Sequence, residues 1–344
     1  MLRESLRKAA AGEPLSAPEA ERALEEIMEG TVDPVVTAAL LTALRVRGES
    51  VGEIVGFARA MRRFAEKVEA PENVVDTCGT GGDAKGTINV STAAAFVARG
   101  AGVVVAKHGN RAATSQAGSA DVLEALGAEI GLGPVEVGRC IEEVGIGFMF
   151  ARTHHPAMRH VVPVRTELPF RTVFNLLGPL TNPAEARRQL VGVFSSEYVR
   201  PVAEALRELG AEKALVVHGT DGLDEITVTG PTLTAEVTDA AVTEREISPE
   251  QFGISRHGPD GILGGHVHLN ARILKGVLSG EEGGAARDVV LLNAGAAIYV
   301  SGRAETIEEG VRLAEESIAS GGAVKALEGF VHTTRRLAVE GGTI

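Results

Sequence analysis

Three short stretches of this 344-residue chain hold residue types that could do chemistry together. The first is "DTCGTGGDAKGTINVST", in which glycines cluster between Gly79 and Gly86 and a helix-like run opens at Ser91-Thr92. Glycine lets the main chain approach an anion closely and aim N–H groups at it. A helix start adds unpaired amides and the positive end of a dipole, and Asn89, Ser91 and Thr92 add side-chain donors. The second stretch, "KHGNR", carries Lys107 and Arg111 as positive charge, and Ser115 and Ser119 follow at the next helix start, where they could hold another phosphate. Two separated anion cradles point to a ligand phosphorylated at two places. The third is "DGLDEI", with Asp224 beside Glu225. By itself such a pair reads as a solvated acidic turn. Next to a polyphosphate it fits Mg²⁺, which uses one or two carboxylates together with phosphates and waters.

Other chemistries fit less well. A Walker A loop needs Gly-Lys-Ser/Thr where this chain has Ala84-Lys85-Gly86. Gly100-Ala-Gly102 precedes a strand rather than following one, which argues against a dinucleotide fingerprint. His154-His155 and His266-x-His268 lack a third ligand at zinc spacing.

These residues need elements to position them. Residues 1–65 read as helices only: Ser16, Asp33-Pro34 and Ser50 are N-cap signals ahead of apolar stripes such as Ala20, Ala23, Leu24 and Ile27. Strands are expected at Val74–Asp76, Val103–Ala106, Leu190–Phe194, Ala214–His218 and Ile226–Thr229. Helices are expected at Ser91–Arg99, from Ser119 towards Gly127, at Glu197–Leu209, near Val289–Val300 and at Thr306–Ser320. Strand–helix–strand order predicts an α/β domain with a mostly parallel sheet, placing both anion loops at the carboxyl edge. The segment Phe150–Pro183, rich in Pro, His and Arg, reads as an excursion back to the helical domain. The expected division is 1–70 helical, completed around 155–183, and 71–154 with 184–344 as the α/β domain.

A formal charge of −12 and 3% aromatic residues argue against a nucleic-acid partner. No run approaches a membrane span. The first residues lack a secretory apolar stretch, and two cysteines suit a reducing cytosol, so a cytoplasmic location is expected.

"DTCGTGGD", "NVSTAAAF", "KHGNRAATSQAGSADVLEALG", "FMFARTHHPAMRHVVPVRTEL", "RTVFNLLGPLTNP", "DGLDEI" and the late "VVLLNAGAAIYVSG" resemble, in that order, the anthranilate phosphoribosyltransferase family. The resemblance covers essentially the whole chain. It implies a small helical domain hinged to a larger α/β domain of the kind shared with pyrimidine nucleoside phosphorylases, and a homodimer through the helical domain. It implies transfer of phosphoribosyl from phosphoribosyl pyrophosphate to the amine of anthranilate, the second step from chorismate to tryptophan. By the same resemblance Gly79, Gly82, Asp83, Thr87, Asn89, Val90, Ser91 and Thr92 cradle phosphoribosyl pyrophosphate. Lys107, His108, Gly109, Asn110, Arg111, Ala112, Ala113, Thr114, Ser115 and Ser119 complete the cradle. Ser91, Asp224 and Glu225 hold Mg²⁺, and Gly79, Asn110 and Arg165, with the His154/His155 region, meet anthranilate. A guanidinium suits a planar carboxylate, which gives Arg165 a role. No acid–base residue is expected, because the amine is already neutral near pH 7. The chain departs from the family at Pro169-Phe170, where a glycine is usual, and at Arg152, where proline is frequent. The competing readings are a pyrimidine nucleoside phosphorylase, whose longer "KHSTGGVGD"-type loop is missing here, and a non-catalytic relative that binds nucleic acid.

Overall fold

The computed structural model describes residues 1–112 and 116–342. Helices α1 (Leu2–Ala10), α2 (Ala17–Met28), α3 (Pro34–Arg47) and α4 (Val51–Arg63) form the N-terminal bundle. Their starts follow the cap signals. Asp33 accepts from the Val35 amide at 2.8 Å ahead of Pro34. Ser50 and Glu53 satisfy each other, Ser50 N donating to Glu53 Oε2 at 2.8 Å and Glu53 N to Ser50 Oγ at 3.3 Å. Glu53 is fully buried, a costly place for a carboxylate, yet it is paired with Arg47 and bonded by the Leu15 amide at 2.8 Å.

Seven strands make one sheet in the order β3-β2-β1-β4-β5-β6-β7. They are β1 (Val75–Gly79), β2 (Val105–Gly109), β3 (Ile146–Phe150), β4 (Arg188–Gly192), β5 (Lys213–Gly219), β6 (Thr232–Thr238) and β7 (Val242–Ile247). The first five are mutually parallel, and β6 and β7 add an antiparallel edge. The chain builds outward from β1 to β3, then crosses to the other side of β1 with β4. Such a reversal opens a crevice at the carboxyl ends of the strands, and the glycine loop leaves β1 at that point.

Between and around the strands lie α5 (Val90–Gly100), α6 (Ser119–Ala125), α7 (Pro134–Val144), the short α8 (Ala151–His154), α9 (Val162–Glu167) and α10 (Phe174–Leu177), then α11 (Val199–Glu208), α12 (Val267–Ser279), α13 (Gly284–Ser301), α14 (Ile307–Ala319) and α15 (Gly322–Glu340). Helix α13 is buried almost all round, as its apolar, alanine-rich sequence requires, and with Phe96 of α5 and Phe330 of α15 it covers one sheet face. On the other face Leu24, Leu44 and Phe57 of the bundle share a core with Val164, Phe174 and Leu177 of the 155–183 segment and with Val191 and Val216 of the sheet. That segment therefore packs with the helical bundle. Among the described residues no helix is long and apolar enough to cross a membrane.

The expected strand at Ile226–Thr229 does not form. Ile226 and Val228 are buried, which gives the run its strand-like pattern. Its main-chain groups are met by side chains instead: Ile226 N donates to Asn293 Oδ1 at 3.0 Å, Asn293 Nδ2 donates to Ile226 O at 2.9 Å, and Thr227 N donates to Thr232 Oγ1 at 3.1 Å. Strand ends also differ: β1 continues to Gly79 and β4 begins at Arg188, set by pairing with each other from Val75↔Arg188 to Gly79↔Gly192.

Candidate active site

The loop from Thr80 to Asn89 joins β1 to α5 at the crevice. Gly81, Gly82 and Gly86 take φ of 65°, 77° and 64°, and Ala84 follows at 58°, so the chain coils left-handedly where side chains would be strained. The far side of the loop is moored: Thr87 bridges Leu263, Gly264 N donates to Gly86 O at 2.8 Å, and Ile88 N donates to Ile262 O at 3.1 Å. Asn89 belongs to this mooring. Its Nδ2 donates to Ala117 O at 3.1 Å and its Oδ1 accepts from Asn270 at 2.9 Å, so its side chain braces the scaffold. Val90 is buried at the first turn of α5, and the buried Thr92 Oγ1 has no hydrogen-bond partner among the described residues.

Asp224 and Glu225 come in from the turn after β5. Asp224 Oδ2 accepts from Gly81 N at 2.7 Å and Glu225 Oε1 accepts from Ser91 N at 3.1 Å. A Cβ on Gly79 would stand 3.1 Å from Asp224 Cγ, so only glycine leaves room for this carboxylate. Burial raises the proton affinity of both acids. For Asp224 the nearby Asp83 adds to the effect, and for Glu225 the neighbouring Asp224 does. The buried Lys107 Nζ faces them, donating to Thr77 O and to Ser91 Oγ at 3.3 Å. Among the described residues no three His, Cys, Asp or Glu converge as a cage. The buried Asp224 carboxylate and the half-buried Glu225 carboxylate, with the Ser91 hydroxyl beside them, are the partial set that Mg²⁺ shares with a phosphorylated ligand. The residues fit that ion.

Two histidines, His108 on β2 and His155 after α8, lie with ring centroids 5.1 Å apart. His108 Nδ1 meets Gly178 O at 3.1 Å, while His108 Nε2 and both His155 ring nitrogens are buried without partners among the described residues. Burial, reinforced by the neighbouring histidines, pushes His108 well down and His155 down to about 4, so both rings are neutral. Asp76 anchors the base of the site: Oδ1 accepts from His108 N at 3.1 Å and Oδ2 from Asn182 Nδ2 at 2.7 Å. Burial raises it to about 6. Sequence reasoning missed Asp76 and Asn182 as site residues, although both stand inside the quoted motifs.

The second cradle is arranged differently from the simple expectation. Arg111 does not turn its charge on the loop. Its guanidinium is paired with Asp121 at 2.8 Å and with Glu124, and lies 5.6 Å over the Phe150 ring. Asn110 is exposed, with Oδ1 accepting from Arg111 N at 2.8 Å. Ser119 Oγ donates to Asn110 O at 3.2 Å, and Ala112 N donates to Asp121 Oδ2 at 3.0 Å. Gly109 ends β2, where a Cβ would press on the Phe148 ring. Ala113, Thr114 and Ser115 lie outside the described residues. Arg165, on α9, rests 5.5 Å over the Phe174 ring, and burial lowers its proton affinity. It forms no ion pair among the described residues, which leaves the guanidinium without a carboxylate of its own.

The family model for the glycosyl transferase family a/b domain matches residues 71–324, and the helical bundle domain of the same family matches 3–65. A curated relative from Rubrobacter xylanophilus, named anthranilate phosphoribosyltransferase, is 80% identical over 99% of this chain and 100% of its own. The chain belongs to the anthranilate phosphoribosyltransferase family. Anthranilate phosphoribosyltransferase structures share its whole architecture. The crystal structure of the enzyme from Thermus thermophilus is 49% identical, covers 96% of this chain and 99% of that one, and has a TM-score of 0.92. The Saccharomyces cerevisiae enzyme in complex with PRPP and Mg is 31% identical, covers 97% and 98%, and has a TM-score of 0.89.

Proposed function

We propose that this chain transfers the 5-phosphoribosyl group of phosphoribosyl pyrophosphate to the amine of anthranilate, giving N-(5-phosphoribosyl)anthranilate and pyrophosphate. The observation that carries this reading is the double clasp of Asp224 on Gly81 and Glu225 on Ser91. It ties a pair of adjacent acids to both ends of an amide-lined loop. The amine lone pair forms the new N–C1 bond, the C1–O bond breaks, and pyrophosphate leaves with that bond's electrons. Bond breaking builds positive charge on the ribose, as in glycoside cleavage. The loop amides of Gly82 and Asp83, the N-terminus of α5 and Lys107 stabilise the departing negative charge in place, the electrostatic form of catalysis. Mg²⁺, held by Asp224, Glu225 and Ser91, would supply further neutralisation of the diphosphate.

His108, Gly109, Asn110 and Ser119 form the other wall of the crevice. Asn110 and Arg165 receive anthranilate, the guanidinium taking its carboxylate. The buried His108 and His155 rings are neutral and need not move a proton. Approach of the helical domain aligns amine with C1 and excludes water, which prevents hydrolysis of the activated sugar. A homodimer through the helical bundle accords with the exposed Val35 and Val46 of α3. Two free cysteines accord with a cytoplasmic setting. The test is direct: anthranilate fluorescence should fall when the protein is mixed with anthranilate, phosphoribosyl pyrophosphate and Mg²⁺. Unchanged fluorescence at saturating substrates would refute the proposal.

A further inference from the structure

Arg171 reaches the glycine loop from the segment between α9 and α10, which packs with the helical bundle. Its Nη2 donates to the carbonyl oxygen of Gly82, and its Nε would lie 3.4 Å from a Cβ built on that glycine. The guanidinium is 4.3 Å above the Phe194 ring, just beyond the carboxyl end of β4. No carboxylate pairs with it among the described residues. Phe194 is itself held in the crevice, since its amide donates to Thr80 Oγ1 at 3.0 Å and its ring meets Tyr198 edge-on at 5.3 Å. Tyr198 Oη accepts from Arg45 at 2.8 Å and donates to Glu49 at 3.1 Å, both in the bundle. One line of contacts thus runs from the helical bundle through Tyr198, Phe194 and Arg171 to the loop that would cradle the diphosphate.

We infer that Arg171 is a positioning residue for the sugar diphosphate, acting through the peptide it holds; the inference rests on the transfer proposed above. A trans peptide is planar, so its C=O and N–H point opposite ways. Holding the Gly82 carbonyl towards Arg171 turns the Asp83 N–H away from it, which decides whether that amide faces the ligand. Gly82, at φ of 77°, has no side chain to resist rotation of this peptide, so an outside contact must set it. A guanidinium can stack on a ring and donate in its plane at once, and an ammonium cannot. Arg171 therefore links the position of the helical bundle to the orientation of an amide in the cradle.

The test compares Arg171→Ala and Arg171→Lys with the wild type by steady-state kinetics and by calorimetric titration of phosphoribosyl pyrophosphate with Mg²⁺. Loss of a charge-assisted bond predicts that Arg171→Ala raises the KM and Kd for phosphoribosyl pyrophosphate by about tenfold. The anthranilate KM should stay within about twofold and the Tm within about 2 °C, since the side chain is exposed. Lysine should recover less than half of the lost affinity. Phe194→Leu, which removes the ring and keeps the arginine, should weaken phosphoribosyl pyrophosphate binding in the same direction. A phosphoribosyl pyrophosphate KM within about twofold of wild type in Arg171→Ala would overturn the inference, as would full rescue by lysine or an equal rise in both KM values with a lowered Tm. If wild-type protein does not bind phosphoribosyl pyrophosphate, the transfer reading fails first and this inference with it.

Discussion

Asp224 and Gly81 are 143 residues apart in the chain and joined by a 2.7 Å hydrogen bond from the Gly81 amide to the Asp224 carboxylate. The next residue, Glu225, makes the matching bond to Ser91, 134 residues away, at 3.1 Å. Two adjacent acids therefore clamp the entry and the exit of one loop. Asp224 is buried and Glu225 half-buried, against the preference of carboxylates for solvent, which is intelligible if a cation and a phosphorylated ligand complete their surroundings.

Neutralising the clamp should separate function from stability. In Asp224→Asn/Glu225→Gln both amides keep an oxygen to accept from Gly81 and Ser91, while two adjacent like charges disappear. Turnover should fall about a hundredfold or more. The Tm, measured without Mg²⁺, should rise by about 2 °C. A double variant with near-normal turnover would remove these acids from the metal site.

Arg165→Ala should act on one substrate only. A guanidinium without a carboxylate partner of its own is free to take one from a ligand, so the anthranilate KM should increase at least about tenfold. The KM for phosphoribosyl pyrophosphate should not move. Lysine at this position should restore only part, because it lacks the planar fork. An unchanged anthranilate KM takes Arg165 out of the acceptor site.

The buried His155 gives a pH dependence of defined sign. Its folded-state value of about 4 lies below the unfolded 6.5, so between those values the unfolded chain binds a proton that the folded one does not. Stability from this group is complete above pH 6.5 and is lost as pH falls towards 4. From about pH 7 to about pH 5 the loss is about 2 kcal/mol. Urea unfolding of wild type and His155→Asn at both pH values should show the variant losing less on acidification by about that amount. Equal losses would mean that the ring is solvated.

Asn182→Ala tests the anchor under the site. It removes a 2.7 Å bond to the buried Asp76 and another to Ala106 O at 2.9 Å. Unfolding free energy should drop by about 2 kcal/mol at neutral pH. The folded-state proton affinity of Asp76, already raised to about 6 by burial, should rise further. A raised carboxyl contributes stability at low pH that disappears as pH rises through its folded value, so the variant should be penalised more at about pH 8 than at about pH 5. The reverse pH trend in urea melts would contradict this role.

Much of the site was legible because its signals are local. Helix α5 does open at the end of the glycine loop, one residue before Ser91, α2 to α4 follow Ser16, Asp33 and Ser50, and the glycine loop does leave a strand of a mostly parallel sheet. The misreadings also have physical causes. Ile226–Thr229 has a strand's apolar pattern, but its main chain is satisfied by Asn293 and Thr232, which no window of sequence contains. The edge strand β7, "VTEREI", is mostly exposed and charged, so it carries no buried alternation to read. Folding also brings Asp121 and Glu124 to Arg111, and Ala117 and Asn270 to the Asn89 amide, partners that no local pattern shows.

The amino-acid order by itself determined which chemistry was possible here. Glycine spacing, cap residues and adjacent acids act within a few residues, where backbone geometry alone decides the outcome. Only the tertiary structure decided which of those groups face one another. The order of strands about β1 brings residues 81, 91, 107 and 224–225 to one crevice, and burial then sets their charge and their partners. Hydrogen bonds spanning more than a hundred residues depend on sheet topology and desolvation, and neither is written in any local pattern.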